Sequence, residues 1–97
     1  IRLRPQDVEV RRSLGLAYFN IGSFAEAIKA YQQGLRIDPN DGLIHYNLGL
    51  VYLDLEDRDS AMEELVLLKN LGEDEIAARL SNDIDKHTLR LSTRRRA

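Results

Sequence analysis

Cysteine is absent from this 97-residue chain, which excludes a disulfide scaffold, a thiolate metal cluster and a cysteine nucleophile. Turn formers are scarce, with six Gly and two Pro, and aromatics make up only 6%, too few for an all-β sandwich. No apolar run approaches the ~20 residues needed to cross a bilayer, so no membrane partner is expected. Neither sign of charge dominates: 14 Lys and Arg face 16 Asp and Glu, and a net charge of −2 gives no overall pull toward nucleic acid. The two histidines, His45 and His87, are 42 residues apart without a nearby second ligand, so no metal is expected. Gly15 and Gly49 fall inside helical stretches rather than in a phosphate loop, and no nucleophile and base arrangement is defined by spacing. The chain therefore reads as a non-enzyme without cofactor. What is present, 43% hydrophobic and 31% charged residues, suits one helical domain. A first residue of Ile1 rather than Met reads as an excised piece, and the compartment stays open, with a cytoplasmic one favoured.

The chain repeats itself. A shift of 34 positions lays Asp7, Leu14, Gly15, Leu16, Tyr18 and Ala27 on Asp41, Leu48, Gly49, Leu50, Tyr52 and Ala61. A fixed period of this size marks stacked units, none of which covers its own apolar face alone. Each unit reads as two antiparallel helices. Asp7 caps a first helix with Val10, Leu14, Ala17, Tyr18 and Ile21 on one stripe, and Gly22 ends it. Ser23 and Glu26 form a capping box for a second helix to about Ile37, closed by Pro39. Asp41 and Asp57 cap the next two helices, which run to about Leu55 and Leu71, with Gly72 supplying a left-handed turn. A fifth helix from Glu73 to Leu91 carries Ile76, Leu80, Ile84 and Leu91 toward the apolar fourth helix, while Glu75, Arg79, Asn82, Asp83 and Lys86 face water. Gly15, Gly49, Ala27 and Ala61 are small where the helices of a hairpin cross.

These residues resemble the tetratricopeptide repeat (TPR) family. Its pattern of Trp, Leu-Gly, Tyr, Ala, Phe and Pro is met by Arg11, Leu14, Gly15, Tyr18, Ala27, Tyr31 and Pro39, then by His45, Leu48, Gly49, Tyr52, Ala61 and Leu65. Arg11 and His45 replace Trp, Leu65 replaces the aromatic, and Glu73 stands where Pro would close the second unit. The resemblance implies an all-α fold of antiparallel helical hairpin repeats, two units of a right-handed superhelix fragment plus a C-terminal capping helix. The expected organisation is residues 1–6 as the tail of a preceding repeat, 7–40 and 41–72 as units, 73–91 as capping helix and 92–97 as flexible basic tail.

In the first helix of the second unit, Ile44, Leu48, Val51, Tyr52 and Leu55 account for packing on the hairpin mate, yet Leu43, Tyr46, Leu50 and Leu53 form a second apolar stripe. The resemblance implies that first helices of successive units line a concave face where a partner lies. Carried over by position, that groove comprises Arg12, Leu16, Phe19, Asn20, Leu43, Tyr46, Asn47, Leu50, Leu53 and Asp54, with Glu9 and Ser13 alongside. The expected function is protein–protein interaction, burying an apolar peptide or helix of a partner protein, with Arg12, Asn47 and Asp54 selecting orientation. Leu16 stands where a carboxylate clamp would place an Asn, so a mainly apolar ligand is favoured. The alternative is a homo-oligomer, self-associating through the same stripe or an exchanged C-terminal helix. Nucleic-acid binding through Arg94, Arg95 and Arg96 is not expected, because no aromatic platform accompanies them. Replacing Ala27 or Ala61 by Leu should overpack its crossing and cost roughly 1–3 kcal/mol in urea unfolding; an unchanged midpoint would remove those alanines from the helix crossings.

Overall fold

The computed structural model describes the backbone of residues 5–96 and the side chains of residues 7–90. Most of the expected repeat remnant at residues 1–6, and the arginine side chains of the tail, lie outside the described residues. The chain is all-α: α1 (Pro5–Asn20), α2 (Phe24–Ile37), α3 (Gly42–Asp54), α4 (Arg58–Asn70) and α5 (Asp74–Arg96), with no strand among the described residues. α1 pairs with α2 and α3 with α4 as helical hairpins, and α5 lies against both α3 and α4.

Local chemistry accounts for most helix ends. The Asp41 carboxylate accepts the Ile44 N–H at 3.0 Å and the Asp57 carboxylate the Ser60 N–H at 3.1 Å, so both caps form as expected. α1 instead begins at Pro5, which has no N–H to leave unpaired, and Asp7 sits in the first turn where the helix dipole favours a negative charge. Ser23 occupies the cap position of α2, but its side chain makes no capping hydrogen bond, so the expected box with Glu26 does not form. α5 runs past the expected end at Leu91 to Arg96, through the segment expected as a flexible tail, because no Gly or Pro interrupts it after Gly72.

The turns after α1, α3 and α4 share one hydrogen-bond pattern. Gly22 N–H donates to Phe19 O and Ser23 N–H to Tyr18 O; Glu56 and Asp57 donate to Leu53 and Tyr52; Gly72 and Glu73 donate to Lys69 and Leu68. This closure needs a left-handed residue at its first donor. Gly22 and Gly72 supply it at φ 77° and 76°, whereas the second unit places Glu56 there at φ 60°.

Helices approach closely where side chains are missing. A Cβ on Gly15 would overlap the Tyr31 ring, one on Gly34 would fall 2.6 Å from Ile44, and one on Gly49 2.8 Å from Leu80. Gly15 therefore serves the crossing within its own hairpin as expected, but Gly49 receives α5 instead. The stripe Ile44, Leu48 and Val51 is likewise redirected: it is buried with Val8, Ala27 and Tyr31 of the preceding hairpin rather than on its own mate. A second cluster unites Leu53, Ala61, Leu65 and Leu68 with Ala77, Leu80 and Ile84 of α5. Val10, Leu14, Ala17 and Ile21, expected as a core stripe of α1, are exposed. The counterparts of the first three are Ile44, Leu48 and Val51, buried on the preceding hairpin, whereas Leu55, the counterpart of Ile21 and expected in the packed stripe of α3, is itself 47% exposed.

Glu56 is exposed, so its side chain contributes little at a backbone position that disfavours any Cβ. Glu56→Gly should raise stability by roughly 0.5–1 kcal/mol in urea unfolding, and Gly22→Ala should lower it by a similar amount. A Glu56→Gly protein no more stable than the parent would show that this turn carries no strain.

Candidate functional site

α1, α3 and α5 lie in neighbouring rows, so the faces they turn to one side form a continuous surface. On α1, Leu16 is 45% exposed and Asn20 is open to solvent, while Phe19 is half-buried with its ring 5.8 Å from that of Phe24. On α3, Leu43 is 49% exposed and Asp54 is exposed, and Tyr46 and Leu50 are half-buried. Leu53 is 4% exposed and packs with α4 and α5. The ten expected groove residues are thus not equivalent: α5 covers the end of α3 that holds Leu53 and leaves the end that holds Leu43 open.

Two of the polar groups expected to orient a partner are engaged inside the chain. Arg12 donates to the Asp41 carboxylate at 2.6 Å, and because Asp41 also caps α3, this pair ties α1 to the start of the second hairpin. Asn47 lies half-buried beside Tyr31, whose phenol is pushed above its ordinary value by burial and drawn partly back by Asn47. That phenol oxygen makes no well-formed hydrogen bond among the described residues. Tyr46 is engaged as well. Its hydroxyl donates to the Asp83 carboxylate at 2.8 Å, and burial, this bond and the Asp83 charge together push its pKa up to about 12.

α5 adds a wall made partly of residues expected to face water. Asp83, Lys86, His87 and Arg90 join Phe19, Leu50, Leu53 and Asp54 around a recess of about 140 Å³. His87 Nδ1 is buried and has no hydrogen-bond partner among the described residues. The recess is apolar at its base and carries charges of both signs at its rim, so it suits a side chain or short segment that is itself amphipathic. Its signal in the sequence is weak: α5 begins after a three-residue turn, whereas four residues separate α2 from α3, so the 34-residue register no longer matches there.

Behind this face lies a buried ionisable pair. His45 Nε2 is 2.8 Å from the Pro39 carbonyl, and Nδ1 is 3.2 Å from Glu64 Oε1, with both residues almost wholly buried. A carbonyl only accepts, so Nε2 is the ring nitrogen that donates, and Nδ1 faces the Glu64 carboxyl. His45 therefore fills the place of the pattern's Trp as a packed bridge between α3, α4 and the turn before α3.

Family models described as TPR repeat and Tetratricopeptide repeat match residues 19–55 and 43–71. Among curated proteins, the chain is similar to the Hsp70-Hsp90 organising protein of Plasmodium falciparum, 35% identical over 49 residues, which is 50% of this chain and 9% of that protein. It is similar to BBSome complex member BBS4 of Xenopus tropicalis, 28% identical over 76 residues, 78% of this chain and 15% of that one. It is also similar to the human aspartyl/asparaginyl beta-hydroxylase, 30% identical over 69 residues, 71% of this chain and 9% of that one. The chain thus matches only a small fraction of the length of these relatives.

The Glu64 carboxyl is held above its ordinary 4.5 by burial, offset in part by His45. The folded protein therefore binds this proton more tightly than the unfolded chain, and the stability it contributes is present below 4.5 and is lost as pH rises through the folded value. In urea unfolding, the stability of the parent relative to Glu64→Gln should fall as pH rises from about 4 to 7. A difference that stays constant across that range would show that Glu64 titrates in the folded state as it does in the unfolded chain.

Proposed function

The chain belongs to the tetratricopeptide repeat family, a family of protein-interaction modules, and from that premise we propose that it binds an apolar segment of a partner protein on the open half of its concave face. The observation that carries this reading is the pair Leu16 and Leu43, two leucines on neighbouring first helices, each nearly half exposed although neither is needed to close the core. Phe19, Tyr46 and Leu50 continue the apolar floor toward α5. Two relatives carry names that speak of assembly, an organising protein and a complex member, which supports the same class of role.

The magnitudes bound the affinity. Five side chains, each giving up about 1 kcal/mol of remaining exposure, supply on the order of 5 kcal/mol before association costs, below the ~8 kcal/mol of a micromolar complex. The remainder must come from polar anchors. With Arg12 held by Asp41, the charged groups beside the recess that can do so are Asp54 on α3 and Lys86 and Arg90 on α5. The bound segment is then an amphipathic helix or strand, its apolar side on Leu16 and Leu43 and its charged end toward α5.

Because Leu16 and Leu43 are exposed, replacing them leaves the core intact, whereas a charge at Tyr46 would be set against Asp83. Peptides selected on the domain from a random amphipathic library should bind at least tenfold more weakly to Leu16→Glu/Leu43→Glu, read by fluorescence anisotropy, with melting unchanged. Peptides that bind parent and double variant equally would refute the groove assignment.

A further inference from the structure

The opposite face of the molecule carries an apolar patch that the repeat does not explain. On α4, Val66 is 53% and Leu67 43% exposed, and with Met62 they line a shallow depression of about 460 Å³ flanked by Asp59 and Glu63. The sequence predicts that the fourth helix buries its apolar residues under α5, and Leu65 and Leu68 are so buried, but Val66 and Leu67 point away. At the matching positions α2 carries Gln32 and Gln33, and the pair Met62 and Glu63 is matched by Ile28 and Lys29. The two helices occupy the same place in equivalent hairpins, so folding alone demands neither the valine nor the leucine.

A second feature is also left over by the fold. Arg58, the first residue of α4, donates to the Thr88 hydroxyl of α5, which marks where the two antiparallel helices end side by side. α5 continues eight residues further to Arg96, about 12 Å at the helical rise, beyond the start of α4. This overhang is basic, with Arg94, Arg95 and Arg96 and no acidic residue after Asp85. An unbroken helix leading away from α4 has no path back to the outer face of the same α4. The charges of the overhang and of the patch are nonetheless opposite.

We propose that the arginine-rich end of α5 in one copy docks on the Met62, Val66 and Leu67 face of a second copy, its positive charge complementing that of Asp59 and Glu63, and that the reciprocal contact closes a two-fold dimer. The interface is separate from the concave groove and stands or falls independently of it. Few apolar side chains take part, so the pairing is weak and its charged component is screened by salt.

Sedimentation velocity of the full chain from about 10 μM to about 1 mM, at low and high salt, reads the proposal directly. The parent should shift from monomer to dimer with concentration, and high salt should reverse the shift. Val66→Gln/Leu67→Gln, which copies the residues of α2, should weaken pairing about tenfold or more with unchanged helix content. Asp59→Lys/Glu63→Lys and Arg94→Glu/Arg95→Glu/Arg96→Glu should each be monomeric alone and should pair when mixed, because each then offers the complement of the other. A parent that stays monomeric at the highest concentration overturns the proposal. So does a dimer indifferent to both sets of substitutions, or an arginine segment that binds duplex DNA without any self-association.

Discussion

Three glycines decide how closely this chain stacks on itself. Gly15 admits the ring of Tyr31, Gly34 admits Ile44 and Gly49 admits Leu80, so each missing Cβ is filled by a large side chain from a helix that comes later in the chain. Tyr31, Ile44 and Leu80 are themselves completely buried, so none of them has room to withdraw. The links run in order: α2 is keyed into α1, α3 into α2 and α5 into α3. Close-packed interiors do not absorb even one methyl group without strain. Stacking is thus sequential, with each hairpin covered by the next helix to be added, and the architecture needs no long-range device beyond the fit of one bulky residue to one gap.

The same constraint sets the limits of the concave face. Once Leu80 is seated over Gly49, α5 runs along α3 and Leu53 is sealed beneath it. The Tyr46 hydroxyl then meets Asp83, and a bond from a phenol to a carboxylate in a partly dry site holds the two helices in register. What remains exposed is Leu43 at the other end of α3 and Leu16 on α1. A helix that stabilises the end of the stack also takes surface away from any partner, and in exchange it brings Lys86 and Arg90 to the rim of the recess. The charged wall and the apolar floor come from different helices, which is why neither alone announces a site.

Much of this was legible in the residues. The 34-residue period, the Asp41 and Asp57 caps and the glycine turn at Gly72 are local signals, and local hydrogen bonds and backbone sterics write them directly into the chain. Less legible was which partner each apolar stripe would choose. Ile44, Leu48 and Val51 recur at helical spacing, and spacing identifies a buried face without naming what buries it. The register of α5 was hidden for a related reason. Ala77 and Ile84 stand 33 residues after Ile44 and Val51 and are buried like them, but the shorter turn before α5 breaks the 34-residue match. The engagement of Arg12 by Asp41 was hidden too, because an ion pair 29 residues apart in sequence leaves no periodic trace.

Repeats offer a control that single domains lack. Two hairpins of one repeat allow matched positions to be compared, and where a matched pair lies outside both cores, a difference in residue type that folding does not require asks for another cause. Leu16 and Leu50 agree and are both apolar, which ties them to a shared face. Glu9 and Leu43 differ, as do Arg12 and Tyr46, and in each case the second unit is the more apolar although Leu43 remains exposed. Gln32 and Gln33 against Val66 and Leu67 obey the same rule on the opposite side. Water penalises exposed leucine and valine at about 25 cal/mol for every Å² they could have buried, and nothing in the hairpin offsets that cost. The second unit is therefore apolar on two outer faces beyond what its own folding uses, and that surplus, rather than the repeat pattern itself, is where the individuality of this chain lies.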